Sequence, residues 1–60
     1  MKKECVAIGD NIIVVLFLNE EGLVCKFHVW SNGRKRRPYL FPCPVTKEQA
    51  MVQAYITRDG

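Results

Sequence analysis

The first half of the chain is dominated by apolar residues in the arrangement typical of β-strands. Its strongest segment, Ile12–Leu18, is an unbroken run of seven apolar residues that begins with β-branched side chains. A strand that is apolar on both of its alternating faces is expected to be covered from two sides. The pattern therefore predicts that this segment is the central strand of a small sheet.

Turn residues flank the predicted central strand on both sides. The Gly-Asp-Asn sequence at 9–11 favours a tight hairpin with a first strand over residues 3–8. The Asn-Glu-Glu-Gly sequence at 19–22 fits a type I turn whose glycine takes a left-handed conformation. A third strand over residues 23–30 is therefore expected to return antiparallel to the second.

Side chains of this third strand alternate between an apolar face and a mixed face. The apolar set, which we expect in the core, comprises Leu23, Cys25, Phe27 and Val29. The mixed set comprises Val24, Lys26, His28 and Trp30. We expect functional residues on the mixed face because it leads directly into the basic segment that follows it.

The length of the loop at Gly22 decides which side chains of the central strand lie beside the mixed face. We favour a three-residue loop with Gly22 in a bulge position. That loop places beside the mixed face Ile12, Val14, Leu16 and Leu18. A four-residue loop would instead place there Ile13, Val15 and Phe17.

The second half of the chain predicts a brief edge strand and a helix. Prolines at 38 and 42 favour an edge position for a short strand over residues 38–41. Thr46 and Gln49 form a capping-box signature that predicts a helix over residues 47–55. Its packing side is expected to comprise Ala50, Met51, Ala54 and Tyr55. Ile56 and its neighbour could equally begin a final strand.

These elements predict an α+β fold in a single domain over residues 1–60. The expected architecture is a small antiparallel β-meander of three to four strands with one short C-terminal helix packed on it. One helix covers only one side of such a sheet. The other side needs further strands, a curled sheet, a partner, or a second subunit that forms a homodimer through the excess apolar surface.

The composition is that of a small folded domain. Of the 60 residues 48% are hydrophobic, which is far too many for a disordered chain. A chain of this length buries only about 60% of its unfolded surface, so we expect low stability and no large enclosed active site. The longest apolar run, seven residues, is well short of the roughly 20 needed to span a bilayer. We therefore expect no membrane insertion and a cytoplasmic location.

The three cysteines, Cys5, Cys25 and Cys43, have no close partner in the sequence, unlike those of a disulfide-stapled domain. We interpret them as reduced thiols. Cys25 and His28 have a short ligand spacing, but positions three apart in a strand point to opposite sides of the sheet. We therefore predict neither a metal site nor a cofactor.

The excess positive charge lies in one short segment, the basic run Arg34, Lys35, Arg36 and Arg37. Without this run the chain has five Lys or Arg against six Asp or Glu, so the run accounts for the whole net charge of +3. A local cationic cluster beside aromatic residues favours the phosphate backbone of a nucleic acid or an acidic protein surface as the partner.

The sequence shows no recognisable catalytic constellation. Ser31 and His28 lie close together, but no acidic residue is near enough in sequence to orient the imidazole. The glycines are isolated and form no loop that could cradle a phosphate. We therefore predict that the protein is not an enzyme.

The leading hypothesis is a small nucleic-acid-binding module. Its phosphate contacts are assigned to the basic run. Stacking and polar contacts are assigned to Trp30, Lys26, His28 and Tyr39.

The order of strands, basic turn and capped helix resembles integrase arm-type DNA-binding domains in architecture. The resemblance covers roughly residues 12–55 and lies in the segments KFHVW at 26–30, GRKRR at 33–37 and TKEQA at 46–50. It implies a three-stranded sheet that lies in the major groove of DNA.

The alternative hypothesis is an interaction module. A chain of 60 residues is similar in size to the accessory proteins that phages and prophages use to bind and inhibit a host protein. The basic run would then dock on an acidic or nucleic-acid-binding surface of the target, and the excess apolar sheet surface would add to the contact.

Overall fold

The computed structural model describes residues 2–58, which form five strands and one helix. In chain order these are β1 (Lys2–Gly9), β2 (Ile12–Leu18), β3 (Val24–Ser31), β4 (Arg34–Lys35), β5 (Tyr39–Val45) and α1 (Lys47–Arg58). The predicted α+β class is confirmed, because the described residues form an antiparallel β-meander with one short C-terminal helix.

β2 is an internal strand, as its two apolar faces predict. It lies between β1 and β3, and both β4 and β5 pair with the other edge of β3. β4 pairs with Trp30 and Ser31 at the end of β3, while β5 pairs with the beginning of β3 between Val24 and Phe27. β5 continues to Val45, four residues beyond the strand predicted for residues 38–41.

The turn between β2 and β3 has the predicted geometry. Gly22 has a φ of +81°, and its N–H donates to Asn19 O at 3.0 Å. The Asn19 side chain organises the loop because its Oδ1 accepts hydrogen bonds from the N–H groups of Glu21 (2.9 Å) and Leu23 (3.0 Å). The backbone N–H of Asn19 also donates to Leu23 O at 2.9 Å, which closes a three-residue loop.

A β-bulge at Cys25 makes the favoured register wrong beyond this turn. Leu18 pairs with Val24 as the three-residue loop predicts, but Phe17 pairs with Lys26, so Cys25 is an extra residue in β3. A one-residue shift in pairing changes which side chains of the partner strand lie on the same face as each later residue. The set that lies beside the mixed face is consequently Ile13, Val15 and Phe17.

The bulge also changes which residues of the third strand enter the core. Phe27 and Val29 are buried as predicted, whereas Leu23 and Cys25 are only partly buried and Val24 is fully buried. The core of the described residues comprises Ile8, Val14, Leu16, Leu18, Val24, Phe27, Val29, Ala50 and Ala54. The β2 residues in this core are Val14, Leu16 and Leu18, which the sequence analysis placed beside the mixed face.

α1 packs on the core face through two alanines. Ala50 and Ala54 are fully buried and lie one turn apart, so the helix backbone approaches the sheet closely. Tyr55, which the sequence analysis placed on the packing side, is 46% exposed because it lies about 100° further around the helix than Ala54. The helix continues to Arg58, so the alternative of a strand that begins at Ile56 is wrong.

The predicted capping box is present at the beginning of α1. The N–H of Gln49 donates to Thr46 Oγ1 at 3.2 Å, and the N–H of Thr46 donates to Gln49 Oε1 at 3.4 Å. These contacts satisfy backbone donors that have no partner within the helix. Nearby, Lys47 Nζ forms an ion pair with Glu4 Oε1 at 2.9 Å and links α1 to β1.

Candidate functional site

The face of the sheet opposite α1 is not covered by any element among residues 2–58, and we call it the open face. Paired strands align its side chains in three rows across the sheet. The first row comprises Lys3, Phe17, Lys26 and Leu40. The second comprises Cys5, Val15 and His28. The third comprises Ala7, Ile13, Trp30 and Lys35.

In the first row, two lysines are held against an aromatic ring. Lys26 Nζ lies 4.9 Å from the centroid of the Phe17 ring, and Lys3 Nζ lies 5.6 Å from it. Both distances are within the range of cation–π attraction. Phe17 therefore orders two ammonium groups on the open face, where they are available to an anion.

His28 lies in the second row, surrounded by lysines. Its ring centroid is 4.8 Å from that of Phe17, and the two planes are inclined by 42°. Partial burial lowers the pKa of His28 from its ordinary value of 6.5, and the positive charges of Lys35, Lys26 and Lys3 lower it further. The imidazole is consequently neutral at pH 7, with one ring nitrogen as a donor and the other as an acceptor.

Trp30 separates two shallow depressions in the open face. The depression on one side of Trp30 is lined by Cys5, Asn11, Ile13, Val15, Asn32 and Gly33. The depression on the other side is lined by Lys3, Val15, Phe17, His28 and Lys35. The first depression is mainly apolar and the second is basic. Trp30 is 38% exposed and Ile13, its partner in the row, is 44% exposed.

The sequence predicts a polar basic loop over residues 31–37, but in the structure the basic run does not form such a loop. Its first two residues form β4, which an Asn-Gly turn joins to β3 with φ of 53° at Asn32 and 79° at Gly33. Asn-Gly is the preferred sequence of a two-residue hairpin because both positions need a positive φ. This pair was the local signal for β4, and the sequence analysis did not use it.

β4 divides the basic run between the two sides of the sheet. Lys35 pairs with Trp30 and so lies on the open face. Arg34 pairs with Ser31, and the N–H of Arg36 donates to Val29 O at 2.8 Å, so the hydrogen-bonding ladder continues past β4. A third depression, on the side opposite Lys35, is lined by Ser31, Asn32, Arg34 and Arg36. Arg37 is exposed beyond this point.

Tyr39 lies away from the other predicted site residues. Its ring is stacked on the buried Phe27, with centroids 5.3 Å apart and an interplanar angle of 11°, and it contacts Phe41 edge to face at 5.0 Å. These rings pack against the core on the side of the sheet that carries α1. The structure therefore groups Lys26, His28, Trp30 and Lys35 on the open face and leaves Tyr39 outside it.

Two residues of the open face, Lys3 and Phe17, were missed by the sequence analysis. Phe17 lies on β2 and Lys3 on β1, and only the shifted register brings both into one row with Lys26. No acidic residue belongs to the three rows, and Glu4 of β1 lies on the opposite face with Lys47. The open face is thus a surface of uniform positive charge that also carries aromatic rings.

The thiols of Cys5, Cys25 and Cys43 are free. Within residues 2–58 no group of three or more His, Cys, Asp or Glu side chains is placed to hold a metal ion. In the same part of the chain no helix has the length and hydropathy needed to cross a bilayer.

Comparison with protein-family models, curated proteins and solved structures found no match to this chain. The architectural resemblance to integrase arm-type domains gains no support from these comparisons. Functional inference therefore depends on the geometry and charge of the open face and the basic run.

Proposed function

We propose that the protein is a small nucleic-acid-binding module that contacts phosphates through the basic run and bases through the open face. The observation that supports this function is the composition of the open face: Lys3, Lys26 and Lys35 surround His28 and Trp30, and no acid belongs to the three rows. A surface with uniform positive charge and accessible rings is complementary to a polyanion whose bases can stack.

The β3–β4 hairpin supplies the charge at one end of this surface. Arg34 and Arg37 are exposed at its end, and Lys35 continues the same charge onto the open face beside Trp30. Arginine can donate two parallel hydrogen bonds to a phosphate, which gives orientation in addition to attraction. A nucleic acid that crosses the third row would therefore meet the positive charge of Lys35 directly beside Trp30.

Binding should depend on the hairpin charge rather than on net charge alone. We expect Arg34→Glu to weaken binding of a labelled nucleic acid by roughly tenfold, because a charge-assisted hydrogen bond is lost and repulsion replaces it. Lys2→Glu makes the same change in net charge, but Lys2 pairs with Leu18 at the opposite end of the sheet. Fluorescence anisotropy from about 50 to 200 mM salt measures both variants.

This comparison shows whether binding depends on the position of a charge in the fold or only on the net charge of the protein. Equal weakening by Arg34→Glu and Lys2→Glu would contradict a hairpin contact and indicate only diffuse attraction. Absence of binding to single- or double-stranded DNA or RNA, even at the lowest salt concentration, would contradict the proposed function as a whole. Circular dichroism of each variant verifies that the fold is retained.

A second candidate function is binding to an acidic protein surface, as an inhibitor of the phage type or a similar interaction module. The observation that favours it is the adjacent exposure of Ile13 (44%) and Trp30 (38%), which gives the basic surface an apolar centre. Buried aromatic anchors within a charged rim are common in protein interfaces. This candidate becomes the leading one if no nucleic acid binds, and an affinity pull-down with the Arg34→Glu variant as a control tests it.

A further inference from the structure

We propose that the open face is selective for single-stranded nucleic acid and holds one unpaired base on Trp30, with a neighbouring phosphate in the basic depression. This inference rests on the proposed function and adds to it the class of nucleic acid and the position of the nucleotide. It depends on the two depressions of different chemistry that lie on either side of Trp30.

The apolar depression has the character of a base-binding surface. Ile13, Val15 and the thiol-bearing Cys5 line it together with Trp30, so a planar base can pack there against apolar atoms. Asn11 and Asn32 lie at its rim, and their turns are joined by a hydrogen bond from Asn32 N–H to Asn11 O at 2.8 Å. Amide groups are well suited to hydrogen bonds with the polar edges of bases.

The basic depression has the character of a phosphate-binding surface. Lys3 and Lys35 line it on either side of His28. Phe17 also lines it and holds Lys3 and Lys26 by its ring, so these ammonium groups are ordered before a ligand arrives. A phosphate that enters this depression replaces repulsion among the lysines with attraction.

Trp30 rather than Phe17 is the stacking residue in this arrangement. Two ammonium groups already lie over the Phe17 ring, at 4.9 and 5.6 Å from its centroid, and a base could stack there only by displacing them. Trp30 has no such neighbour among the described cation–π pairs, and both depressions adjoin it. The base and the phosphate therefore lie on opposite sides of the indole.

An unpaired base is required because the bases of a duplex are stacked on one another and present only their edges in the grooves. Stacking on a protein ring needs a base that has left such a stack. A second copy of the chain is a poorer occupant than a single strand. It would bring three more lysines to a face whose rows contain no acid.

Trp30 is the only tryptophan of the chain, so its fluorescence reports directly on this site. The titrants are a thymidine single strand, an abasic strand with the same number of phosphates, and a blunt hairpin duplex, each at about 100 mM salt. We expect the thymidine strand to bind most tightly and to quench Trp30. The abasic strand should bind more weakly without the same quenching, because it supplies phosphates but no base.

Variants at Trp30 test the stacking step by affinity alone. Trp30→Leu should weaken binding of the thymidine strand by about 5- to 150-fold, the range for loss of one base–aromatic stack. It should leave binding of the abasic strand nearly unchanged, and Trp30→Phe should retain most of the affinity. Val52→Ala, at a 60% exposed position on the helix, is the control for a general effect of removing exposed apolar area.

Each result supports or contradicts one of the two proposals. Equal affinities for the thymidine and abasic strands, with no quenching, would overturn base stacking on Trp30 and leave the nucleic-acid-binding function intact. Equal or tighter binding of the duplex would overturn the selectivity and favour groove binding by the hairpin. If none of the three titrants binds, even when the salt is lowered to about 50 mM, both proposals fail.

Discussion

At the scale of single residues, His28 has the chemistry that depends most on its neighbours. Partial burial and then the charges of Lys35, Lys26 and Lys3 hold its pKa below 6.5. Three of the four causes are the charges of these lysines, which belong to the surface that we propose for phosphate binding. The pKa of His28 is therefore a measure of how strongly that surface is occupied.

We expect the pKa of His28 to be below 6.5 in the free protein and to rise when a single strand binds, because phosphate charge offsets the lysines. NMR titration of the imidazole resonances measures both values. Lys35→Gln removes the largest charge contribution, so it should raise the pKa of His28 in the free protein. A pKa that does not change on saturation with a bound strand would contradict a phosphate in the basic depression.

The lowered pKa of His28 also determines the direction in which the free energy of unfolding changes with pH. Because the folded-state pKa of His28 lies below the ordinary value of 6.5, protonation favours the unfolded chain. Its contribution to the free energy of unfolding is complete above pH 6.5 and decreases as the pH falls through the folded-state pKa. Chemical denaturation of the protein and of His28→Gln across this range isolates the contribution.

At the scale of elements, the bulge at Cys25 decides which side chains form the open face. The turn itself follows the sequence closely, and Leu18 pairs with Val24 as that turn requires. Cys25 is then an extra residue in β3, so Phe17 pairs with Lys26. In a pairing without this bulge, Lys26, His28 and Trp30 would lie beside the β2 residues that form the core, and Phe27 and Val29 would leave the core.

Deletion of Cys25 alone should retain the fold, because the pairs Phe17–Lys26 and Leu16–Phe27 then continue directly from Leu18–Val24. Deletion of both Cys25 and Lys26 should prevent folding or lower the free energy of unfolding by more than about 3 kcal/mol, because Phe27 and Val29 then turn to the open face. That loss is comparable to the entire stability expected of a small domain. Cys25→Ala keeps the backbone residue and should cost only about 1 kcal/mol. Chemical denaturation followed by circular dichroism measures these variants, and a double deletion as stable as the deletion of Cys25 alone would refute this role of the strand register.

At the scale of the whole molecule, the sheet has two faces with different roles. One face is closed by α1 and contains the buried residues of β2 and β3. The other keeps lysines and rings accessible, which limits the apolar area that folding can bury in so short a chain. One face therefore stabilises the fold, and the other is the face that we propose for binding.

The salt dependence of binding should reflect the number of cations on this surface. Neutralisation of phosphates of a single strand gives a slope of about −0.7 per contact in log Kobs against log salt. The three lysines of the open face predict about −2, and the three arginines of the basic run together extend this to about −4. Lys26→Gln should reduce the slope by about 0.7, whereas Lys47→Gln, on the helix side, should leave it unchanged. A slope near zero would contradict phosphate contacts.

Much of this protein could be predicted from local pattern alone. Residues 12–18 specify an internal strand because they are apolar on both faces, and Thr46 with Gln49 specifies the beginning of a helix through hydrogen bonds made within one turn. The basic run was recognisable because charge is counted directly from the sequence. The Asn-Gly turn was equally readable and was overlooked.

The tertiary structure alone decided which of these residues lie together. The bulge at Cys25 has no clear local sequence signal, yet it brings Lys3 and Phe17 into one row with Lys26. Tyr39 lies away from Trp30 because it pairs with Phe27 and stacks on it at the core face. The physical reason is that strand pairing alternates with a period of two, so that one extra residue exchanges the faces. The sequence by itself determined the elements and the charge of this protein, and packing on α1 decided which face became the core and which remained open.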